Sequence, residues 1–251
     1  MTPRAAGAPG HPGLPDLANL RDLGGLTTYD GRSTRPGRLL RSATPYFLDA
    51  RQASVVVDDL GLRLRVDLRT RGEVAGATSA ALAARERAVL LAPLRSGGSG
   101  GAADRDDPAA SMAAHYLRFL DHAQPAFAAI TAALTEPGQV PALVHCTMGK
   151  DRTGVVVAVL LSAVGVRDEE IVDDYALTAG RTDDLLARLR ELPGYAERLA
   201  ALPVESLGAV PETMVEFLAG LRHAYGDARS FLHSAGVPDH RLHDLTDLLV
   251  G

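Results

Sequence analysis

The ten residues His145-Cys146-Thr147-Met148-Gly149-Lys150-Asp151-Arg152-Thr153-Gly154 decide how the rest of the chain is read. Before them runs Val140-Pro141-Ala142-Leu143-Val144, and after them Val155-Val156-Val157-Ala158-Val159-Leu160-Leu161. The first apolar run predicts a buried strand and the second a buried helix. The stretch between is a strand-to-helix turn, with Cys146 at its entry and Arg152 at its exit. The first N–H groups of a helix have no partner within it, and the helix dipole adds positive potential there. A loop wrapping onto such an end turns several N–H groups toward one anion; here they belong to Thr147, Met148, Gly149 and Lys150. Arg152 adds a planar, two-pronged grip on oxyanions. A thiol in such a place ionises more readily than a free one, which makes Cys146 the expected nucleophile. The Thr153 hydroxyl is placed to donate to that sulfur. Gly149 fits a backbone conformation or close approach that a side chain would block.

Cys-x5-Arg alone is weak evidence, because Arg fills 25 of 251 positions. The composition of the stretch is more telling. The chain has one Cys and one Lys, and both lie inside these ten residues. Beside 25 Arg, a single Lys next to Arg152 points to an ammonium wanted at that spot.

His-Cys-Thr-Met-Gly-Lys-Asp-Arg-Thr-Gly resembles the signature loop of the cysteine-dependent tyrosine phosphatase superfamily. Its Gly-Lys-Asp-Arg-Thr-Gly ending is similar to that of the bacterial branch typified by mycobacterial PtpB. Asn19-Leu20-Arg21-Asp22, Gly37 to Ser42, Asp67-Leu68-Arg69 and Ile171 to Tyr175 fit the same resemblance, which runs from about Leu17 to the C-terminus. It implies an α/β fold, a central small sheet flanked by helices with a helix-rich C-terminal half, and a helical lid over 182–202. It implies hydrolysis of phosphotyrosine through a cysteinyl-phosphate, with Cys146, Arg152, Asp151 and Thr153 catalytic and no metal or organic cofactor. The expected partner is a phosphorylated protein or a phosphoinositide.

The proton donor to the leaving oxygen is the open position. The Trp-Pro-Asp loop of many tyrosine phosphatases is absent, since the chain has no Trp. The mycobacterial Asp after the third strand is also unmatched: Ala92-Pro93-Leu94-Arg95 stands there. In similar bacterial enzymes the Asp of the signature loop, here Asp151, is favoured; its other reading is a carboxylate that orients Arg152. Asp104, Asp106 or Asp107 could serve instead, carried on the Gly-rich segment Ser96–Gly101, itself either linker or mobile flap. Lys150 reads either as a solvated loop charge or as extra positive charge for a polyanionic substrate. His145 reads as a structural hydrogen-bonder. Asp67, Arg69, Arg21 and Asp22 read as ion pairs supporting the loop, and Asp173, Asp174 and Tyr175 as packing behind the helix. Alternatives to a protein phosphatase are a phosphoinositide phosphatase, a rhodanese-like sulfurtransferase and a silent phosphate-binding module. The Lys-Asp-Arg-Thr-Gly ending argues against the sulfurtransferase.

Hydrophobic content of 46% suffices for a core. A single Cys excludes disulfides within the chain and suits a reducing compartment, so a cytoplasmic location is expected. The N-terminus shows no apolar core of signal-peptide type, and secretion by another route stays open. No apolar run reaches the length of a membrane span. A net charge of -5 speaks against nucleic-acid binding. The first 100 residues are net positive and the remainder net negative. The positive part either faces an anion site or is ordinary surface variation.

Along the chain, 1–15 reads as a flexible tail and 16–251 as a single domain. Strands are predicted at Leu39–Arg41, Leu62–Asp67 and Ala88–Leu91, with Ser42 a cap or turn residue. Helices are predicted at Tyr46–Leu60, in part of Gly72–Ala84, at Pro108–His122 and at Pro125–Thr135. After the signature helix, which stops at Gly165, come Asp168–Thr178, Thr182–Leu192, Tyr195–Leu202, Pro211–Tyr225, Ala228–Ser234 and Asp239–Val250.

Overall fold

A computed structural model of the chain describes residues 13–75, 79–95, 111–181, 183–191 and 208–251. The apolar run before the signature forms β5 (Ala142–His145), buried along its whole length. It lies in the middle of a five-stranded sheet of order β1-β2-β5-β3-β4. On one side it pairs in parallel with β2 (Leu39–Ser42), and on the other with β3 (Leu64–Asp67). Beyond β3 lies the parallel β4 (Ala88–Leu91); beyond β2 lies the short antiparallel β1 (Arg21–Asp22). Ser42 and Asp67 both stand in register with His145. The three central strands therefore release their chains at one edge of the sheet, the edge where open α/β folds bind ligands.

Strand alternation divides the core into two layers. Ala142 and Val144 face a large cluster built with α4 (Met112–Thr135), α5 (Asp151–Ala163), α6 (Asp168–Ala176), α8 (Pro211–Tyr225), α9 (Ala228–Ser234) and α10 (Asp239–Leu249). Leu143 and Leu40 face a smaller cluster with α1 (Ala50–Ser54), the π-helical turn Val55–Asp59 and α3 (Ala80–Ala83). Helix α5 is buried from Thr153 to Leu161 on every side. Each of its Val and Leu side chains contributes about 1.5–3 kcal/mol of transfer free energy, so this helix is the best-anchored neighbour of the loop. The remaining helices are α2 (Arg71–Val74), at the edge where the loop lies, and α7 (Asp183–Arg190).

Several elements differ from the expectation. The two helices expected on either side of Pro125 are one helix, with that proline inside it. Pro125 removes one backbone donor, but Tyr116, Phe119, Leu120, Ala123, Phe127, Ile130 and Leu134 form one continuous buried stripe along α4. Burial on that scale outweighs the cost of about 3 kcal/mol for an interior proline. The helix expected at Tyr46–Leu60 begins at Ala50, where the Asp49 side chain accepts from the Gln52 N–H as N-cap. Ser42 is the last residue of β2, not a cap. Leu14, inside the segment expected to be a tail, is buried in the smaller cluster. Residues 1–12, the Ser96–Gly101 segment with Asp104, Asp106 and Asp107, and Tyr195–Leu202 lie outside the described residues. Of the expected lid, only 183–191 is described. Among the described residues, no helix is long and apolar enough to cross a membrane.

Candidate active site

The signature loop leaves β5 at Cys146 and enters α5 at Asp151. Cys146 is 2% exposed and is a free thiol. The carbonyls of the loop are tied down one after another. Cys146 O accepts from His145 Nδ1 at 3.0 Å, and Thr147 O from the Thr44 N–H at 2.9 Å. Met148 O and Gly149 O accept from Asn19 Nδ2 at 3.4 and 3.0 Å, and Gly149 O also from Arg41 Nη2 at 2.7 Å. In a trans peptide, N–H points opposite to C=O. Anchoring four carbonyls therefore aims the N–H groups of Thr147, Met148, Gly149 and Lys150 to the other side. None of those four N–H groups donates a hydrogen bond among the described residues. Asn19 achieves its reach with φ 60°, a conformation Asn tolerates. Gly149 has φ +68° and lies against the end of β2: a Cβ there would stand 2.3 Å from Ser42 O.

Arg152 closes the cradle and is held by a residue that motif reading missed. Its Nη1 and Nη2 each donate to Glu73 at 2.8 Å, a fork-on-fork pair. Nη1 also reaches Leu68 O and Nη2 the Thr147 hydroxyl, both at 3.4 Å. Glu73 is itself fixed by a capping box with Thr70 at the start of α2. Burial alone would push the Glu73 carboxyl up, but the hydrogen bonds and charge of Arg152 bring it down to about 2. Burial likewise disfavours the charged guanidinium, and the Glu73 pair more than restores it. Arg152 thus stays charged and keeps its plane fixed, while its Nε–H makes no hydrogen bond among the described residues.

Asp151 lies in the first turn of α5. Its Oδ1 accepts from Tyr116 Oη at 2.6 Å and from Lys150 Nζ at 2.5 Å. Burial tends to raise this carboxyl; the Lys150 ammonium and the two hydrogen bonds prevail and lower it. Lys150 is neither solvated nor projected into the mouth: its side chain is 4% exposed. Burial pulls its ammonium down, and Asp151 outweighs that and raises it. The Thr153 hydroxyl is fully buried and has no hydrogen-bond partner among the described residues. Gly154 is small because Tyr175 packs on it, with ring carbons 3.1 and 3.2 Å from a built Cβ.

Two buried ion clusters underlie the loop. Asp174 accepts from Arg21 Nε at 2.7 Å and Arg41 Nη1 at 2.5 Å. Asp67 accepts from Arg69 Nε and Nη2 and from Arg65 Nη1, at 2.9, 2.7 and 3.1 Å. Arg65 also pairs with Glu86. The charged face of β3 is therefore buried, not solvated, because each charge has a partner. Several of the arginines that make the first half of the chain basic are spent here. Asp22 caps the turn through Gly24 N and Gly37 N and pairs with no cation among the described residues. Asp173 is exposed, while Asp174 and Tyr175 are buried behind α5. His145 is fully buried and lowered to about 3, chiefly by that burial and by the nearby Arg65 and Arg69. Since a carbonyl can only accept, Nδ1 carries the proton toward Cys146 O, and Nε2 accepts from Arg65 at 3.1 Å. His145 is a neutral spacer, as its structural reading requires.

The Asp67 cluster gives an acid limb to stability. Burial would raise Asp67, but Arg69, above all, lowers it to about 2. A depressed carboxylate stabilises the fold above its unfolded pKa of about 4, and that contribution is lost as pH falls through the folded value. The shift corresponds to about 2 kcal/mol. Thermal unfolding followed from pH 5 to 2 should show wild-type stability falling steeply. Asp67→Asn should start lower and fall less; an unchanged slope would show that this pair does not couple to folding.

Helix α7 rests on the loop from above. Leu185 and Leu189 pack with Ala43 and with half-buried Met148 and Phe47. Arg188 lies 4.0 Å over the Phe47 ring and pairs with Asp16.

A buried cysteine thus stands at the foot of a loop whose carbonyls are anchored and whose arginine is fixed by a carboxylate, in an α/β protein. The chain belongs to the tyrosine phosphatase family, whose sequence model matches residues 12–251. A tyrosine-protein phosphatase of Nostoc commune is 32% identical over 147 residues, 54% of this chain and 48% of that one. The triple specificity protein phosphatase PtpB of Mycobacterium tuberculosis is 34% identical over 122 residues, 44% of each chain. A putative tyrosine-protein phosphatase of Cupriavidus necator is 32% identical over 223 residues, 85% of this chain and 75% of that one. The chain thus spans about half the length of the first two of these relatives.

Proposed function

We propose that the protein is a phosphatase that hydrolyses phosphotyrosine, and phosphoserine or phosphothreonine where they reach the cradle, through a cysteinyl-phosphate. The observation that carries this reading is the turned-in run of four free amides above Cys146, closed by Arg152. That arrangement matches the three equatorial oxygens of a phosphoryl group in transfer. Cys146 Sγ attacks phosphorus in line, the bond to the leaving oxygen breaks, and Asp151 gives that oxygen a proton. Water then attacks phosphorus, Asp151 takes its proton, and the S–P bond breaks. The unpartnered Thr153 hydroxyl supports a role in stabilising the departing sulfur anion.

Asp151 is ionised in the free protein, so it must be loaded before it can donate. A phosphate monoester in the cradle brings negative charge beside it, which raises a neighbouring carboxyl. The basic limb due to Asp151 therefore lies at higher pH in kcat than in kcat/KM.

A phosphoinositide substrate is the second reading, since the same amides and guanidinium would hold a phosphate monoester on either carrier. Against it, the buried Lys150 is paired with Asp151, which offsets its charge. The cytoplasm suits a working thiolate, and residues 16–251 act as one domain in this reading. The test compares phosphotyrosine peptides, phosphoserine peptides and phosphoinositide vesicles, with phosphate release as readout and a rapid-quench search for phosphate bound to Cys146. A stoichiometric burst with phosphotyrosine preferred is expected. Turnover without any phosphoenzyme would overturn the mechanism, and vesicles preferred over peptides would favour the second reading.

A further inference from the structure

Asp151 is held unequally by its surroundings. Oδ1 takes both hydrogen bonds, from Tyr116 on α4 and from Lys150, while Oδ2 makes none among the described residues. Both donors are buried, yet the Asp151 side chain is 30% exposed. The carboxylate thus has a tethered inner oxygen and a free outer one. The hydrogen-bond directions follow from chemistry. An ionised carboxylate only accepts, so Tyr116 donates to it. With its proton so committed, Tyr116 Oη accepts from Tyr175 Oη at 2.8 Å. The order is Tyr175 to Tyr116 to Asp151, a chain in which each donor polarises the next. The Tyr116 ring cannot drift, being packed against Phe119, Tyr175 and Phe217.

We propose that Tyr116 is a positioning residue for proton transfer: fed by Tyr175, it occupies the inner oxygen of Asp151 so that the transferable proton is carried on the outer one. Protonation at Oδ1 would turn an acceptor of two bonds into a competing donor. Protonation at Oδ2 leaves both bonds intact, since the neutral acid still accepts through its carbonyl oxygen. The proton is thereby presented toward the cradle. The inference rests on Asp151 being the acid of the proposed function.

The groups facing Asp151 are Lys150 and Arg152 from its own loop and helix, Tyr116 from α4 and Tyr175 from α6, with Cys146 beside Lys150 and Arg152 and Glu73 on α2 behind Arg152. Loss of the Tyr116 hydroxyl removes one bond to the charged form, which makes Asp151 a weaker acid. The limb that requires protonated Asp151 therefore moves to higher pH, while the plateau rate falls because a weaker acid donates less readily.

The experiment measures pH profiles of kcat and kcat/KM for wild type, Tyr116→Phe, Tyr175→Phe and Asp151→Asn. Each is assayed with an aryl phosphate of poor leaving group and with p-nitrophenyl phosphate. For Tyr116→Phe with the poor leaving group, the basic limb should shift up in pH and the plateau should drop about threefold. Its p-nitrophenyl phosphate plateau should change little, and Tyr175→Phe should shift in the same direction by less. An unshifted limb, or one uniform loss at every pH with both substrates, overturns the proposal and leaves Tyr116 a packing residue. Asp151→Asn separates the two levels of the inference. If it abolishes the limb while Tyr116→Phe leaves it in place, the acid stands and the positioning role falls. If it leaves the limb untouched, the acid assignment itself is wrong, and the proposal goes with it.

Discussion

The Cys146→Ser variant should bind a phosphotyrosine peptide and hydrolyse none of it. The substitution replaces one small, buried side chain with another, so the tied carbonyls, the Glu73–Arg152 pair and the α5 start all remain. Binding depends on those amides and that guanidinium, and they are unchanged. Attack depends on an ionisable sulfur. A serine hydroxyl in the same place stays protonated where a thiol ionises, and His145 cannot relieve it of its proton because its two nitrogens are engaged by Cys146 O and Arg65. Turnover should fall by about 10⁵-fold or more, toward the loss seen when a catalytic nucleophile is removed. Isothermal titration with the peptide, beside phosphate release over hours, checks both halves. Retained hydrolysis would show that water attacks directly and that the covalent route is wrong.

The second large effect is expected from Gly149→Ala, one methyl added at the tightest point of the loop. The new Cβ would stand 2.3 Å from Ser42 O, 2.5 Å from Ser42 C and 2.7 Å from Ala43 N, all backbone atoms of or next to β2. Neither side can yield cheaply: β2 is paired with β5, and Gly149 O is held by Asn19 and Arg41. The left-handed φ of +68° adds a further penalty of about 1 kcal/mol, and the overpacking about 1–3 kcal/mol. Since the loop moves more easily than the sheet, the amides of Gly149 and Lys150 should be displaced. A shift of about 1 Å costs on the order of 10²-fold in rate. Gly165→Ala is the control, because φ is +83° there but nothing lies within 4 Å of the added carbon. It should lower the melting temperature with kcat/KM intact, whereas Gly149→Ala should lower both. Equal activities in the two variants would mean that the cradle tolerates movement of its amides.

Much of this site was legible in the chain itself, and the rest depended on distant partners or on burial. The strand before Cys146, the helix after it and the floor position of the thiol follow from local apolar runs and one spacing. Thr70-x-x-Glu73 reads as a capping box and so as a helix start, but nothing local says that the Glu73 carboxylate reaches Arg152. Nothing local in the sequence singles out Tyr116; its hydroxyl acquires meaning only when α4 is laid beside α5 and α6. Lys150 reads from the sequence either as a solvated charge or as charge for a polyanionic substrate; the structure buries it against Asp151. The Leu62–Asp67 segment alternates apolar and charged residues, and Arg65, Asp67 and Arg69 satisfy one another in the interior. Pro125 separates two helices by local rules, and the buried stripe of α4 overrides them. For Glu73 and Tyr116 the deciding partner is far away in sequence.

The place of β5 in the sheet has a consequence for how the molecule comes into being. Its neighbours β2 and β3 are synthesised early, yet each must wait for β5 to arrive, long after, and fill the gap between them. Pairings between such distant segments close late and slow folding. A nascent chain that has emerged only through α4 holds two strands with unmet edges, the condition in which polypeptides most readily stick to one another. The segment that completes the sheet is the same one that carries the thiol, so the molecule gains its chemistry at the moment it loses its exposed edges.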